Sequence, residues 1–268
     1  LTDSVQRVAL VVEYDGSRFN GWQLQRGSEA NTVQAALESA LGSVADAPVR
    51  LVCAGRTDAG VHATHQVVHF ESANPRGELA WLRGCNANLP GSVAVRGARI
   101  VGDDFHARFS ALSRRYRYLI HDREARPALG REYLTWVRRP LDVRRMHAQA
   151  QALLGERDFT SFRAAACRSS TPMRRVDFVR VERRRRLVVV DIQANAFLHH
   201  MVRNIVGTLI EVGKGRARDD WVATLLALKD RTRAADTAPP AGLYLVGVNY
   251  PERFGLKARE PGPVWLGE

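Results

Sequence analysis

Val8-Ala9-Leu10-Val11-Val12 is apolar at every position, so both alternating faces of the strand it predicts must be buried, as in the middle of a sheet. Asp15-Gly16 supplies the turn that ends it. A helix follows. Asn31 can cap its start with Gln34 reaching back, and Val33, Ala36, Leu37, Ala40 and Leu41 fall on one stripe. Gly42 is the expected stop. Residues 49–54 read as a strand, 55–60 as a loop, and Gln66-Val67-Val68-His69-Phe70 as another strand.

A second series begins near residue 106. Residues 114–120 alternate polar and apolar side chains like a strand, and a helix runs from about Asp142 to Leu154, ending at Gly155. Strands near 176–182 and 187–194 are joined by an arginine-rich turn. A long apolar helix covers 197–212, a short one 221–228, and a closing strand 243–248. The fold class is therefore α+β or α/β, with two β-α-β-β-type halves, mainly antiparallel sheets and a cleft between the halves as the place for a site. The expected domains are 1–105 and 106–268.

The 268 residues carry 45% hydrophobic and 25% charged side chains, an ordinary globular balance. The charge is not ordinary. Forty basic residues against 28 acidic ones give a net charge of +12, which favours a polyanionic partner. Only three of the forty, Lys214, Lys229 and Lys257, are lysines. Arginine suits phosphate because its planar fork bonds two oxygens at once, though genome composition also produces arginine bias. Cys53, Cys85 and Cys167 are odd in number and far apart, which argues against a disulfide framework and for a reducing compartment. Leu1-Thr2-Asp3-Ser4 reads as neither a basic leader nor a signal segment, and no apolar run reaches membrane-spanning length. The expected location is cytoplasmic.

The chemistry centres on Gly55-Arg56-Thr57-Asp58-Ala59-Gly60-Val61-His62-Ala63. An aspartate before Ala-Gly ordinarily caps a turn, but this stretch is longer than a turn needs. It resembles the signature of the tRNA pseudouridine synthase A family. Tyr14-Asp15-Gly16 with Phe19 and Gly21-Trp22-Gln23 resembles that family's opening segment, and Phe105-His106-Ala107-Arg108-Phe109-Ser110 with Tyr116-Arg117-Tyr118 its central one. The run from Phe197 through His199-His200 and Arg203-Asn204 to Gly207 is similar to its long helix, and Gly242-Leu243-Tyr244-Leu245 to its tail. The blocks stand in family order over nearly the whole chain.

The resemblance implies an isomerase that converts uridine to pseudouridine at positions 38–40 of the tRNA anticodon stem-loop. It implies Asp58 as nucleophile, Arg203 as its salt-bridged partner and Tyr116 as the active-site tyrosine stacking on a flipped uracil. Arg56 is expected to occupy the space the flipped base leaves. Arg114, Arg115 and Arg117, interleaved with tyrosines, are expected to touch RNA. A homodimer holding one tRNA across both subunits is implied, with no cofactor, no metal and no membrane. On residues alone, Arg203 interrupts an apolar helix face, where a buried guanidinium needs a carboxylate partner. A tyrosine in an alternating strand is otherwise usually core packing.

Other signals carry less. His62, His65 and His69 near Cys53 complete no zinc spacing. His199-His200 point in different directions on a helix. Arg183-Arg184-Arg185-Arg186 is equally a phosphate patch or a solvated turn. Arg157 and Arg168 depart from the histidine and glutamine common in the family. Two rival readings remain: an RNA-binding protein without catalysis, and a metal-dependent phosphoesterase built on Asp58 and the histidines.

Overall fold

The computed structural model describes residues 5–23, 31–256, 262, 263 and 266. The start read above as no leader, Leu1-Thr2-Asp3-Ser4, lies outside them. Two compact units form: one runs up to Leu112 and resumes at Leu245, and the other is Ser113–Tyr244. The division expected at residue 105 thus falls at 112/113, and the last stretch of chain returns to the first unit.

The first unit contains β1 (Gln6–Tyr14), α1 (Val33–Ala45), β2 (Val52–Cys53), β3 (His62–Ser72), α2 (Glu78–Asn88) and β4 (Val93–Ile100). The second contains β5 (Ser113–Asp122), β6 (Thr135–Val137), α3 (Val143–Ala150), β7 (Gly155–Asp158) and β8 (Met173–Arg184). It continues with β9 (Leu187–Ala194), α4 (Met201–Gly213) and α5 (Trp221–Leu228), and β10 (Leu243–Asn249) carries the chain back.

In the first unit β1 lies between β4 and β3, antiparallel to both, with β10 beyond β3 and the short β2 also on β3. That position explains its continuous apolar run: Val8, Ala9, Leu10 and Val12 are completely buried. α1 buries Val33, Leu37, Ala40, Leu41 and Ala45, a stripe close to the one expected. Its cap is Thr32 rather than Asn31, with the Thr32 hydroxyl accepting the Ala35 N–H at 3.3 Å, while Gln34 turns away to donate to Glu38. The helix passes through Gly42 and ends at Asp46, whose φ of 52° is left-handed. The strand expected over 49–54 pairs only at Val52–Cys53, and α2 and β4 were not anticipated. α2 is anchored by Trp81, packed edge-on against Phe70 at 4.9 Å.

The second unit's sheet runs β5-β9-β8-β7, all antiparallel, with β6 alone parallel to β5. The mainly antiparallel α/β class is as expected. The helix read from Phe197 begins only at Met201, because His200 takes a left-handed φ of 60°. Farther along α4, a Cβ on Gly207 would lie 2.0 Å from the Asp236 carbonyl oxygen, so only glycine admits the 234–238 segment there. All three cysteines are free. Among the described residues no helix is long and apolar enough to cross a membrane.

His69 on β3 links fold to pH. Its Nδ1 accepts the Ala107 N–H at 3.1 Å, and burial, then the neighbouring His106 and Arg7, lower its pKa from 6.5 to about 4. Between those values the unfolded chain holds more protons than the folded one, so stability is full above pH 6.5 and falls as pH drops toward 4. Denaturant titrations across this window should show a loss of up to roughly 3 kcal/mol. His69→Gln should flatten the dependence; an equal slope in both proteins would rule His69 out as its source.

Candidate active site

Asp58 stands on the loop that leaves β2 and enters β3. The loop is held by two polar side chains from the strands beneath it, Gln66 and Tyr14, the second acting through Thr57 of the loop itself. Gln66, fully buried on β3, donates to the Gly55 carbonyl at 2.5 Å and accepts the Gly55 N–H at 3.4 Å. Tyr14, at the end of β1, shares a hydrogen bond of 2.8 Å with the Thr57 hydroxyl, and Gln66 donates to the Tyr14 oxygen at 3.5 Å. With Thr57 drawn inward and buried, its neighbours turn the other way: Arg56 is exposed and Asp58 half-buried.

The opening segment closes over this loop. The Trp22 backbone N–H donates to the Thr57 carbonyl at 3.0 Å. Gly21 has φ of +89°, and a Cβ there would crowd the Thr57 carbonyl oxygen, Ala59 nitrogen and Asp58 carbonyl carbon at 3.0–3.2 Å. No side chain fits without displacing the backbone that carries Asp58. At the far end, the Val61 N–H returns to the Asp58 carbonyl at 3.2 Å, and the Gly16 N–H donates to His62 Nδ1 at 3.1 Å. The 14–22 and 55–62 segments are therefore one construction. His62 is a structural acceptor here.

In the second unit Tyr116 lies on β5 opposite Ile192 of β9, 8% exposed, with the ring of Phe197 edge-on at 5.1 Å. Phe197 reaches it from the non-helical stretch before α4. Arg203, in the first turn of α4, is half-buried between buried neighbours Val202 and Asn204. Its Nε donates to the Ala238 carbonyl at 2.8 Å while its own carbonyl accepts the Ala238 N–H at 3.1 Å. Asn204 secures the same segment, accepting from Thr237 at 2.7 Å and Arg231 at 3.1 Å. Tyr118, two residues from Tyr116, donates to the Pro239 carbonyl at 2.7 Å; burial raises its pKa despite the opposing pulls of the Thr135 hydroxyl and Arg203.

The three strand arginines differ in setting. Arg114 donates to the Asn195 carbonyl at 3.0 Å. Arg115 grips Asp191 with two bonds of 2.7 Å and remains 29% exposed. Arg117 bonds the same carboxylate at 2.9 Å but is enclosed, with 2% exposure. A guanidinium so enclosed and paired is a brace between β5 and β9, and the outward RNA contact expected of it would require the pair to open. In the arginine run, Arg183 pairs with buried Asp122 through bonds of 2.8 and 2.6 Å, and Arg184 with Glu182 at 2.6 Å. Arg183 and Arg184 are thus structural in part rather than a bare phosphate patch.

A sequence profile described as tRNA pseudouridine synthase matches residues 10–110 and 149–251. Over 260 residues the chain is 58% identical to tRNA pseudouridine synthase A of Shewanella amazonensis, spanning 97% of this chain and 99% of that protein. The proteins of the same name from Enterobacter sp. and Escherichia fergusonii are 56% identical over 264 residues, 98% of this chain and 97% of each relative. The chain belongs to the tRNA pseudouridine synthase A family. Pseudouridine synthases are isomerases, so the chain is an enzyme whose substrate is tRNA.

Sequence reasoning missed Tyr14, Gln66 and Thr57 as the supports of the Asp58 loop of this pseudouridine synthase. The available signal was Gln66 itself, an uncharged polar residue beside Val67 and Val68 in a strand that must be buried. Gln66→Leu leaves both polar groups of Gly55 without this partner and should cost about 1–3 kcal/mol in urea unfolding. Pseudouridine formation should fall further than folded protein is lost, because the loop itself loosens; a rate that simply tracks the folded fraction would contradict this.

Proposed function

We propose that the enzyme isomerises uridines 38–40 in the tRNA anticodon stem-loop, with Asp58 as nucleophile. The observation that carries this reading is a carboxylate held half-exposed at the tip of a loop fixed from below by buried hydrogen bonds. Turn-capping does not call for such support, whereas positioned attack does.

The chemistry breaks the N1–C1′ glycosidic bond, turns the freed base and joins C5 to C1′. A proton leaves C5 and another is gained at N1, so the reaction balances with no redox partner and no hydrolytic water. A carboxylate oxygen can bond to the intermediate and depart again, provided it is ionised. In this proposal Arg203 is the counter-ion that keeps it so, its stem fixed by the Ala238 carbonyl. Tyr116, oriented by Phe197, stacks on the everted uracil. Arg56, exposed two residues before Asp58, enters the gap in the RNA stack, where it offsets a few kcal/mol of lost stacking.

Arg114 and Arg115 are proposed to meet the RNA backbone, while Arg117 serves through Asp191 by holding β5 in place. A homodimer with one tRNA spanning both subunits, working in the cytoplasm, completes the proposal. The reading with no catalytic role has no use for a locked Asp58 loop.

The experiment uses tRNA tritiated at uridine C5, since forming the C5–C1′ bond expels that hydrogen. Asp58→Asn, nearly isosteric but neutral, should release no tritium while still binding tRNA. Release at the wild-type rate would end the assignment. Arg203→Leu should move the acidic limb of the pH–rate profile to higher pH, because the carboxylate loses its counter-ion; an unmoved limb would dissolve the pairing.

A further inference from the structure

The 105–110 segment takes no part in the chemistry above, yet it is built with care. Phe105 is completely buried, with ring centroids 5.1 Å from Tyr250 and 5.1 Å from Phe254. The Ala107 carbonyl accepts the Tyr250 hydroxyl at 2.6 Å, and the Ala107 N–H donates to His69. Arg7 donates to the carbonyls of Asp103 and Phe105. The Ser110 N–H bonds the His106 carbonyl at 2.9 Å, and the His106 N–H bonds the Ser110 hydroxyl at 3.0 Å. A loop so fixed nevertheless presents Phe109 to solvent at 75% exposure.

The ring is also held. His106 lies under it at 4.3 Å and 27°, and His106 Nδ1 accepts the N–H groups of both Arg108 and Phe109. The Arg108 guanidinium carbon stands 5.5 Å from the ring centroid. Burial foremost keeps the His106 pKa below its usual value, so the supporting ring is neutral at neutral pH. Among the nearby acids, Asp104 is paired with Arg253 and Glu71 with Arg7. An aromatic face beside an arginine, on a tRNA enzyme of net charge +12, fits a nucleobase and its phosphate.

We propose that Phe109, backed by His106 and flanked by Arg108, is a stacking platform for an unpaired base of the tRNA. The proposal rests on tRNA as substrate and adds a contact away from the reacting nucleotide. The platform is tied to β3 at His69, whereas the Asp58 loop enters that strand at His62. Seven residue steps of strand separate these points, and three separate His69 from Gln66, which holds Gly55, so the platform stands roughly 10–23 Å along β3 from the anchors of the Asp58 loop. A second copy of the chain is a poorer occupant. A stable interface needs a broad apolar core, whereas the exposed residues of the loop that carries Phe109 include the polar or small Gly102, Asp103, Asp104 and Arg108 beside Leu112.

Equilibrium binding of one unmodified tRNA, at several fixed salt concentrations, tests this with Phe109→Ala and Phe109→Trp, each protein also being sedimented alone. Phe109→Ala should bind about tenfold more weakly, with an unchanged dependence on salt because no phosphate contact is removed. Phe109→Trp should restore the affinity. An alanine variant binding within twofold of wild type would overturn the platform. So would a change in its sedimenting mass, which would assign the ring to contact between copies. Affinity is read here and not tritium release, so failure of the Asp58 assignment leaves this result standing, and the reverse also holds.

Discussion

A carboxylate on a mobile loop would be of little use for attack at one atom, since an ångström of misplacement already costs heavily in rate. For Asp58 as the proposed nucleophile, the constraint on which the rest depends is therefore the anchoring of the main chain around it. Tyr14, Gln66 and Thr57 form a buried polar chain whose members satisfy one another and Gly55. In a low-dielectric interior such a chain fixes one geometry, because breaking any link strands a buried polar group. Gly21 then packs on the loop with a positive φ and an approach that a Cβ would crowd at 3.0–3.2 Å. The strand that opens the described residues, the turn after it and the Asp58 loop are for this reason inseparable.

The second unit applies the same logic to a cation. Arg203 is not merely placed on α4; its backbone and its Nε are both tied to Ala238. That peptide is in turn carried by a segment that Asn204 grips and Gly207 admits. Tyr116 is steadied by its place in the β5–β9 ladder and by Phe197. Arg115 and Arg117 share Asp191 across that ladder. Both units spend their buried polar groups on orientation.

Much of this could be read in advance where apolar periodicity was strong. β1, β5, β9 and α5 lie close to where their patterns put them. α2 and β4 escaped because α2 buries only Trp81 and Cys85 and β4 carries Arg96, Gly97 and Arg99, so neither offers a clear stripe. The start of α4 was misplaced because Phe197 and Leu198 continue the apolar pattern while the backbone does not: His200 turns left-handed. At the site, the residues that look chemical were visible as motif letters. Their supports were not, because the Tyr14–Thr57 contact joins residues 43 apart and depends on strand register. Arg117 shows the same limit. Its alternation with tyrosines gives no sign of Asp191, which β5–β9 register sets opposite it.

Asp58, as the proposed nucleophile, bonds to the substrate, and that bond can be looked for. In tRNA carrying 5-fluorouridine, fluorine replaces the hydrogen that must leave C5, so the final deprotonation is blocked and the covalent complex should accumulate. After digestion with trypsin, mass spectrometry of the trapped complex should find the nucleotide on the fragment of residues 57–76, at Asp58. An adduct on any other residue would contradict the account.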